Sequence, residues 1–267
     1  MSSRPALAVT FALALSACRG AEYSVGPQFG PLSVEGGMTW TDFQSPPSNP
    51  PDPGENTVED FGVADDDAFS GGLRYDARAP VYHYMLSLQG AAWSGEGVLS
   101  HDFDQIEAGA AVETDVALFV VRNYFTFDVV PAEAVEVGIG VALDAALVGA
   151  TVDEQGPNFN LVEEDVELLT VVGAPLLAAR VAMHLGPLDL EAFGGVTDMT
   201  IFDTDVQMLE LDASARLRFA GKRGNPSGLV IVGLRRNDFT LDYEDDEDEV
   251  EVDLTFSGPY VGVQFGW

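Results

Sequence analysis

The sequence predicts an all-β fold: a closed, antiparallel, up-and-down transmembrane β-barrel of about ten strands, with eight to twelve compatible. Three observations predict it. Apolar and polar residues alternate with period two along nearly the whole of the 267-residue chain. The connections between alternating segments are short and long in turn. The polar faces of the segments mix both signs of charge, whereas the long connections are acidic. In a bilayer every backbone donor and acceptor must be paired within the protein, so strands can cross only as a closed barrel. After the N-terminal stretch there is no run of about 18 apolar residues that would cross as a helix.

The chain begins with MSSR, a short cationic end, followed by the apolar stretch PALAVTFALALSA. Residues 1–17 therefore read as an export signal. LSAC at 15–18 resembles the bacterial lipoprotein signal, which implies that Cys18 is the lipidated first residue of the mature chain. Otherwise Cys18 simply ends the apolar stretch. Residues 18–30 are then a tether to a barrel spanning 31–267. With a single cysteine in the sequence, no internal disulfide can staple the fold.

Strands are expected at about 32–41, 69–79, 82–93, 113–129, 135–149, 172–185, 188–196, 208–219, 228–243 and 251–267. The segment MLELDASARLRF is the clearest. Leu209, Leu211, Ala213, Ala215, Leu217 and Phe219 share one face, and Glu210, Asp212, Ser214, Arg216 and Arg218 the other. In LDLEAFGGV, Asp189 and Glu191 fall opposite Leu188, Leu190, Ala192 and Val196. Arg74, Asp76 and Arg78 share a face of one strand, Glu136 and Asp144 of another, and Arg180 and His184 of a third. Carboxylates can therefore meet most of the few basic residues inside a lumen, where pairing offsets the cost of buried charge.

Leu185-Gly186-Pro187-Leu188 fits a two-residue type II′ turn with glycine first. That turn places His184 opposite Asp189 and Ala182 opposite Glu191, with Arg180 a diagonal neighbour of Glu191. Short connections are expected near Pro80, at 131–134, at Gly186-Pro187 and at 221–227, the last carrying Lys222 and Arg223. Long ones are expected at 44–56, around His101, and at 154–165, 198–206 and 243–249. The acidic clusters Asp65 to Asp67, Glu163 to Asp165, Asp203 with Asp205, and Asp245 to Glu249 all fall on the long-connection side.

Twelve Lys and Arg against 44 Asp and Glu give a net charge of −32, which excludes nucleic acid as a partner and disfavours anionic surfaces. No phosphate-cradling loop, nucleophile elbow, paired-cysteine metal site or dinucleotide fingerprint is present. Asp153 and Glu164 have the end spacing of a calcium loop, but Gln155, Pro157 and Asn158 break its ligand pattern. The expectation is a non-enzymatic protein without cofactor or resident metal, its acidic loops being candidates for weak divalent-cation binding only.

The chain ends in SGPYVGVQFGW, with Trp267 last and Phe265, Val263 and Val261 spaced by two before it. This ending resembles the C-terminal signature of bacterial outer-membrane β-barrel proteins. The resemblance implies an outer-membrane location in contact with lipid, recognition by the barrel-assembly machinery, and both chain ends on the periplasmic side. Trp40, Phe43, Trp93, Tyr243 and Trp267, near strand ends, are expected as interface aromatics. The apolar phase is even at Val250, Val252, Leu254 and Phe256 but odd from Val261, so a bulge is expected around Ser257 to Pro259.

The function that follows is a structural or surface barrel, or a narrow passage for small solutes. Alternation alone fits equally a periplasmic lipocalin-like lipoprotein with an apolar cavity. A lipid-modifying barrel enzyme, with His83 or His101 as a base near the outer rim, lacks a serine beside either histidine.

Overall fold

The computed structural model describes residues 21–42, 54–64, 68–103, 106–132, 134–155, 165–201, 204–221, 227–244 and 248–267. Ten long strands form the wall: β1 (Glu22–Asp42), β3 (Ala68–Ala79), β4 (Tyr82–Val98), β5 (Ala111–Pro131), β6 (Val135–Glu154), β7 (Asp165–Leu185), β8 (Leu188–Ile201), β9 (Thr204–Ala220), β10 (Ser227–Glu244) and β11 (Asp248–Gly266). The two-residue strand β2 (Asn56–Thr57) lies beside β1. Each wall strand pairs antiparallel with its neighbour in sequence, and β11 pairs with β1 to close the ring. At the seam Trp267 N–H donates to the Tyr23 carbonyl at 2.9 Å, Tyr23 N–H donates to that of Trp267 at 3.2 Å, and the two rings stack.

Both described chain ends lie at one end of the barrel with the tight connections β3–β4 and β7–β8; this is the turn end, and the opposite one is the loop end. At the β7–β8 turn Gly186 has φ +69, which a glycine-first turn requires.

Three expectations change. The first strand begins at Glu22, so residues 22–30 are wall and not tether; Cys18 and the signal lie outside the described residues. Pro27 and Pro31 disguise this stretch. Neither has a Cα partner in the β11 ladder, whereas the β3 ladder continues through both, and a proline can stand where the ladder does not need its missing N–H. Second, two outer connections are shorter than expected: β8 runs to Ile201 before β9 starts at Thr204, and β10 to Glu244 before β11 starts at Asp248. The clusters at 65–67, 163–164 and 245–247 lie outside the described residues, as do Phe43, Lys222 and Arg223.

Third, β11 has no bulge. It pairs with β10 from Ser227↔Gly266 to Glu244↔Glu249 without a register shift. Even-numbered residues point inward along its whole length: Gln264 and Tyr260 near the turn end, Phe256, Leu254 and Val252 near the loop end, all buried. The chemistry of the two faces changes, not the geometry. Toward the turn end the outward residues are apolar and exposed, as at Val263, Leu234, Leu177, Ile139 and Phe127. Toward the loop end the exposed residues on the same face are Glu251, Asp253, Asp242, Glu113 and Glu96. Inward residues do the reverse, from Arg74, Arg180 and Glu191 to Val34, Val112 and Val152.

The lower half thus has the outward apolar band and polar interior of a membrane-spanning barrel, and the upper half is built like a water-soluble one. Strand length agrees. A strand such as β6, with 20 residues, rises about 50 Å at ~3.3 Å per residue and a tilt of about 40°, twice an apolar band about 25 Å tall.

Strand β3, with 12 residues, is too short to line the upper half. Residues 54–64 fill the gap it leaves between β1 and β4. Val58 N–H donates to the Gly36 carbonyl at 2.9 Å, and the 60–62 backbone packs so closely on Gly95 and Gly97 that a Cβ at either would overlap it. The buried Asn56 side chain accepts from Ser100 N–H at 3.0 Å and His101 N–H at 2.9 Å and donates to the His101 carbonyl at 3.1 Å, tying this patch to the 99–103 segment. Partial burial pushes the nearby Asp60 carboxyl up, but hydrogen bonds from the Ser100 hydroxyl and from the hydroxyl and N–H of Thr57 outweigh it and hold the group below its ordinary value. Asn56→Ala removes three part-buried hydrogen bonds, two from backbone N–H donors and one to a carbonyl, and costs about 1–3 kcal/mol. The expected readout is faster protease cleavage within 54–64 in a barrel whose gel mobility stays that of the folded form.

Candidate functional site: a charged lumen beneath an apolar chamber

In the lower half inward side chains form one network of ion pairs, centred on Glu191 of β8. Its carboxylate lies 2.8 Å from Arg78 Nη2, 2.8 Å from Arg180 Nε and 3.5 Å from Arg74 Nη2, and also pairs with Arg216. Asp76 receives Arg74 Nε at 3.0 Å, Arg216 Nη2 at 3.3 Å and Gln264 Nε2 at 2.8 Å. Arg180 also reaches Asp128 at 3.0 Å and Glu136 at 2.7 Å. His184 lies opposite Asp189, Nδ1 to Oδ1 2.6 Å, with Nε2 3.0 Å from Glu136, and Arg218 stands 3.6 Å from Asp189.

A second knot lies closer to the loop end. Glu210 pairs with Arg122 and accepts from the Tyr124 hydroxyl, and Asp144 is 4.0 Å from Arg122. Asp212, two residues from Glu210 on the same inward face of β9, extends the first knot: it accepts from Tyr260 at 2.8 Å, lies 3.2 Å from Arg235, and is 3.7 Å from Arg74. Strands β3 and β8 are five places apart in a ring of ten, so the Arg78–Glu191 contact crosses the full width of the lumen.

Sequence reasoning missed Arg122, Arg235, Asp128, Tyr124 and Gln264. The signal was present: Arg122, Tyr124 and Asp128 share the parity of the inward face of β5, and of the neighbours Arg235 and Arg236 only one can face inward. Arg236 faces out and pairs with Asp238 at 2.9 Å. His83 is not at the outer rim. It is buried in the lumen, with Nε2 3.2 Å from Asp76 Oδ1 and Nδ1 3.8 Å from Glu191. Trp93 is not an interface aromatic either; it points inward and donates from Nε1 to the Val63 carbonyl at 3.2 Å. Val261, Val263, Phe265 and Trp267 are exposed on the outer wall. Among the described residues no group of three or more His, Cys, Asp or Glu is arranged to hold a metal ion.

Above the ionic knots the inward surface becomes apolar. Val34, Met38, Val58, Phe61, Val63, Trp93, Phe103, Val116, Val148, Val152, Leu254 and Phe256 surround a chamber in which the centres of water-sized molecules can range over about 50 Å³, partly open to solvent, with Thr114 the one hydroxyl-bearing side chain in its lining.

No protein-family model matches the chain, and no curated protein matches it. Among solved structures it is similar to the outer-membrane protease OmpT of Escherichia coli, at 9% identity and a TM-score of 0.46, over 92% of this chain and 97% of that one. It is similar to Ail, the attachment invasion locus protein of Yersinia pestis, at 9% identity and a TM-score of 0.34, over 92% and 99%. It is also similar to the toluene transporter TodX of Pseudomonas putida, at 8% identity and a TM-score of 0.31, over 99% and 93%. The ring of ten strands and its two faces, rather than these distant likenesses, make the chain an outer-membrane-type β-barrel.

Proposed function

We propose that the chain is an integral protein of the bacterial outer membrane whose barrel is closed to ions and serves a structural or surface role. In this reading the turn end is periplasmic, the loop end faces the exterior, the lower outer wall contacts lipid, and Val261, Val263, Phe265 and Trp267 present the assembly signal. The exported chain loses residues 1–17, and Cys18 carries a lipid. The chain performs no catalysis and carries no cofactor, and its outer acidic residues attract divalent cations weakly.

One observation carries the reading: Glu191 gathers arginines from β3, β7 and β9, so the ionic network bridges opposite walls. An open passage would need these charges to part, and removing one partner of a buried pair is costly. A periplasmic carrier with its apolar surface enclosed is opposed by the outward, exposed Leu177, Leu234 and Val232. In planar bilayers the refolded protein is expected to give no reproducible conductance steps, and Arg78→Ala with Arg180→Ala should introduce them. Steady channels from the unaltered protein would overturn the closed reading in favour of a narrow solute passage.

A further inference from the structure

The chamber at the loop end has a feature that a plain hydrophobic core does not. Thr114 is 2% exposed, its side chain lines the chamber, and its hydroxyl has no hydrogen-bond partner among the described residues. A buried hydroxyl without a partner carries a desolvation cost that a bound acceptor or donor would relieve. The other lining side chains are apolar, and Trp93 has its N–H already committed to Val63. A cavity with apolar walls and one convergent polar group has the character of a small-molecule site.

The lining also limits the occupant. It holds no side chain of either charge, so an ionised ligand would be buried without a counter-charge. The outer wall at this level is acidic, with Glu35, Glu96, Glu113, Glu251 and Asp253 exposed, so organic anions are repelled before they arrive. Below, the ionic network blocks onward movement into the lower lumen. We propose that this chamber binds a small, uncharged, largely apolar molecule bearing one hydrogen-bonding oxygen, a phenol- or alcohol-like compound, with that oxygen on Thr114 Oγ1 and its ring or hydrocarbon body among Phe61, Trp93, Phe103 and Leu254. The ligand arrives from the water at the loop end, because the wall around the chamber stands above the apolar band.

The test uses the full mature barrel in lipid nanodiscs. The chain has three tryptophans, and Trp40→Phe with Trp267→Phe leaves Trp93 as the reporter. Titration with 4-bromophenol should quench Trp93 saturably, with an affinity roughly three- to tenfold higher than for bromobenzene, the span of one neutral hydrogen bond. Thr114→Val should erase that preference while bromobenzene still saturates. Ala150→Phe, which fills the chamber, should abolish saturation with both probes; Val148→Phe does the same by a second route if the first variant lacks the gel mobility of a folded barrel. Quenching that rises linearly and ignores the filling substitutions reports partition into lipid and overturns the site. Saturation without preference for the phenol, unchanged in Thr114→Val, overturns the role of the hydroxyl. Neither result depends on whether the lower lumen conducts.

Discussion

Glu191→Gln lowers the stability of the barrel by about 3–5 kcal/mol, read as a shift of the urea midpoint for the protein refolded into lipid vesicles. The substitution keeps the volume and removes the charge. Arg74, Arg180 and Arg216 then rest on Asp76, Asp128, Glu136 and Asp212, while Arg78 loses the charge of the carboxylate 2.8 Å from it, and the side chains of Arg74 and Arg180 are almost wholly out of solvent. Arg236→Ala is the control. Its pair with Asp238 is on the outer wall, with the arginine side chain 55% exposed, and its loss costs at most about 1 kcal/mol. Equal, small effects from both would mean that the lumen is wet and the network is no barrier.

Leu177→Arg costs about 2–4 kcal/mol in the same assay, whereas Glu251→Arg costs close to nothing. Both positions face outward. Leu177, 74% exposed in the isolated barrel, lies in the apolar band, and Glu251 lies above it. An arginine in the band must leave water for hydrocarbon; one above it does not. If the two substitutions cost the same, the exchange of apolar and polar faces along the strands does not mark the membrane boundary.

The ten strands of the wall were legible because the backbone has one inside and one outside, and period two records that difference. The β7–β8 register was legible because one glycine-first turn fixes every opposite pair, including Ala182↔Glu191. The upper half was harder. Its phase change at Ser257 to Pro259 resembles an inserted residue, yet the strand continues and its surroundings change from hydrocarbon to water. A one-dimensional pattern cannot separate a bulge from a change of solvent when each reverses the apolar parity. Residues 22–30 were hidden by Pro27 and Pro31, which are tolerated because the β11 ladder skips them. Arg122 was obscured by the surrounding apolar run in β5, whose inward face is apolar apart from Thr114 up to Val120 and largely polar beyond it. The chamber could not be read at all, since it depends on a short β3 and on the segment that takes its place.

The seam between β1 and β11 brings together residues as far as 244 positions apart, as at Tyr23 and Trp267. No intermediate lacking either strand has a complete ring, and deleting either one bares two ribbon edges at once. Contacts so remote in sequence form slowly, because the chain must give up most of its freedom before they are made. The ring therefore closes late, and until it does both free edges remain open to pairing with other chains.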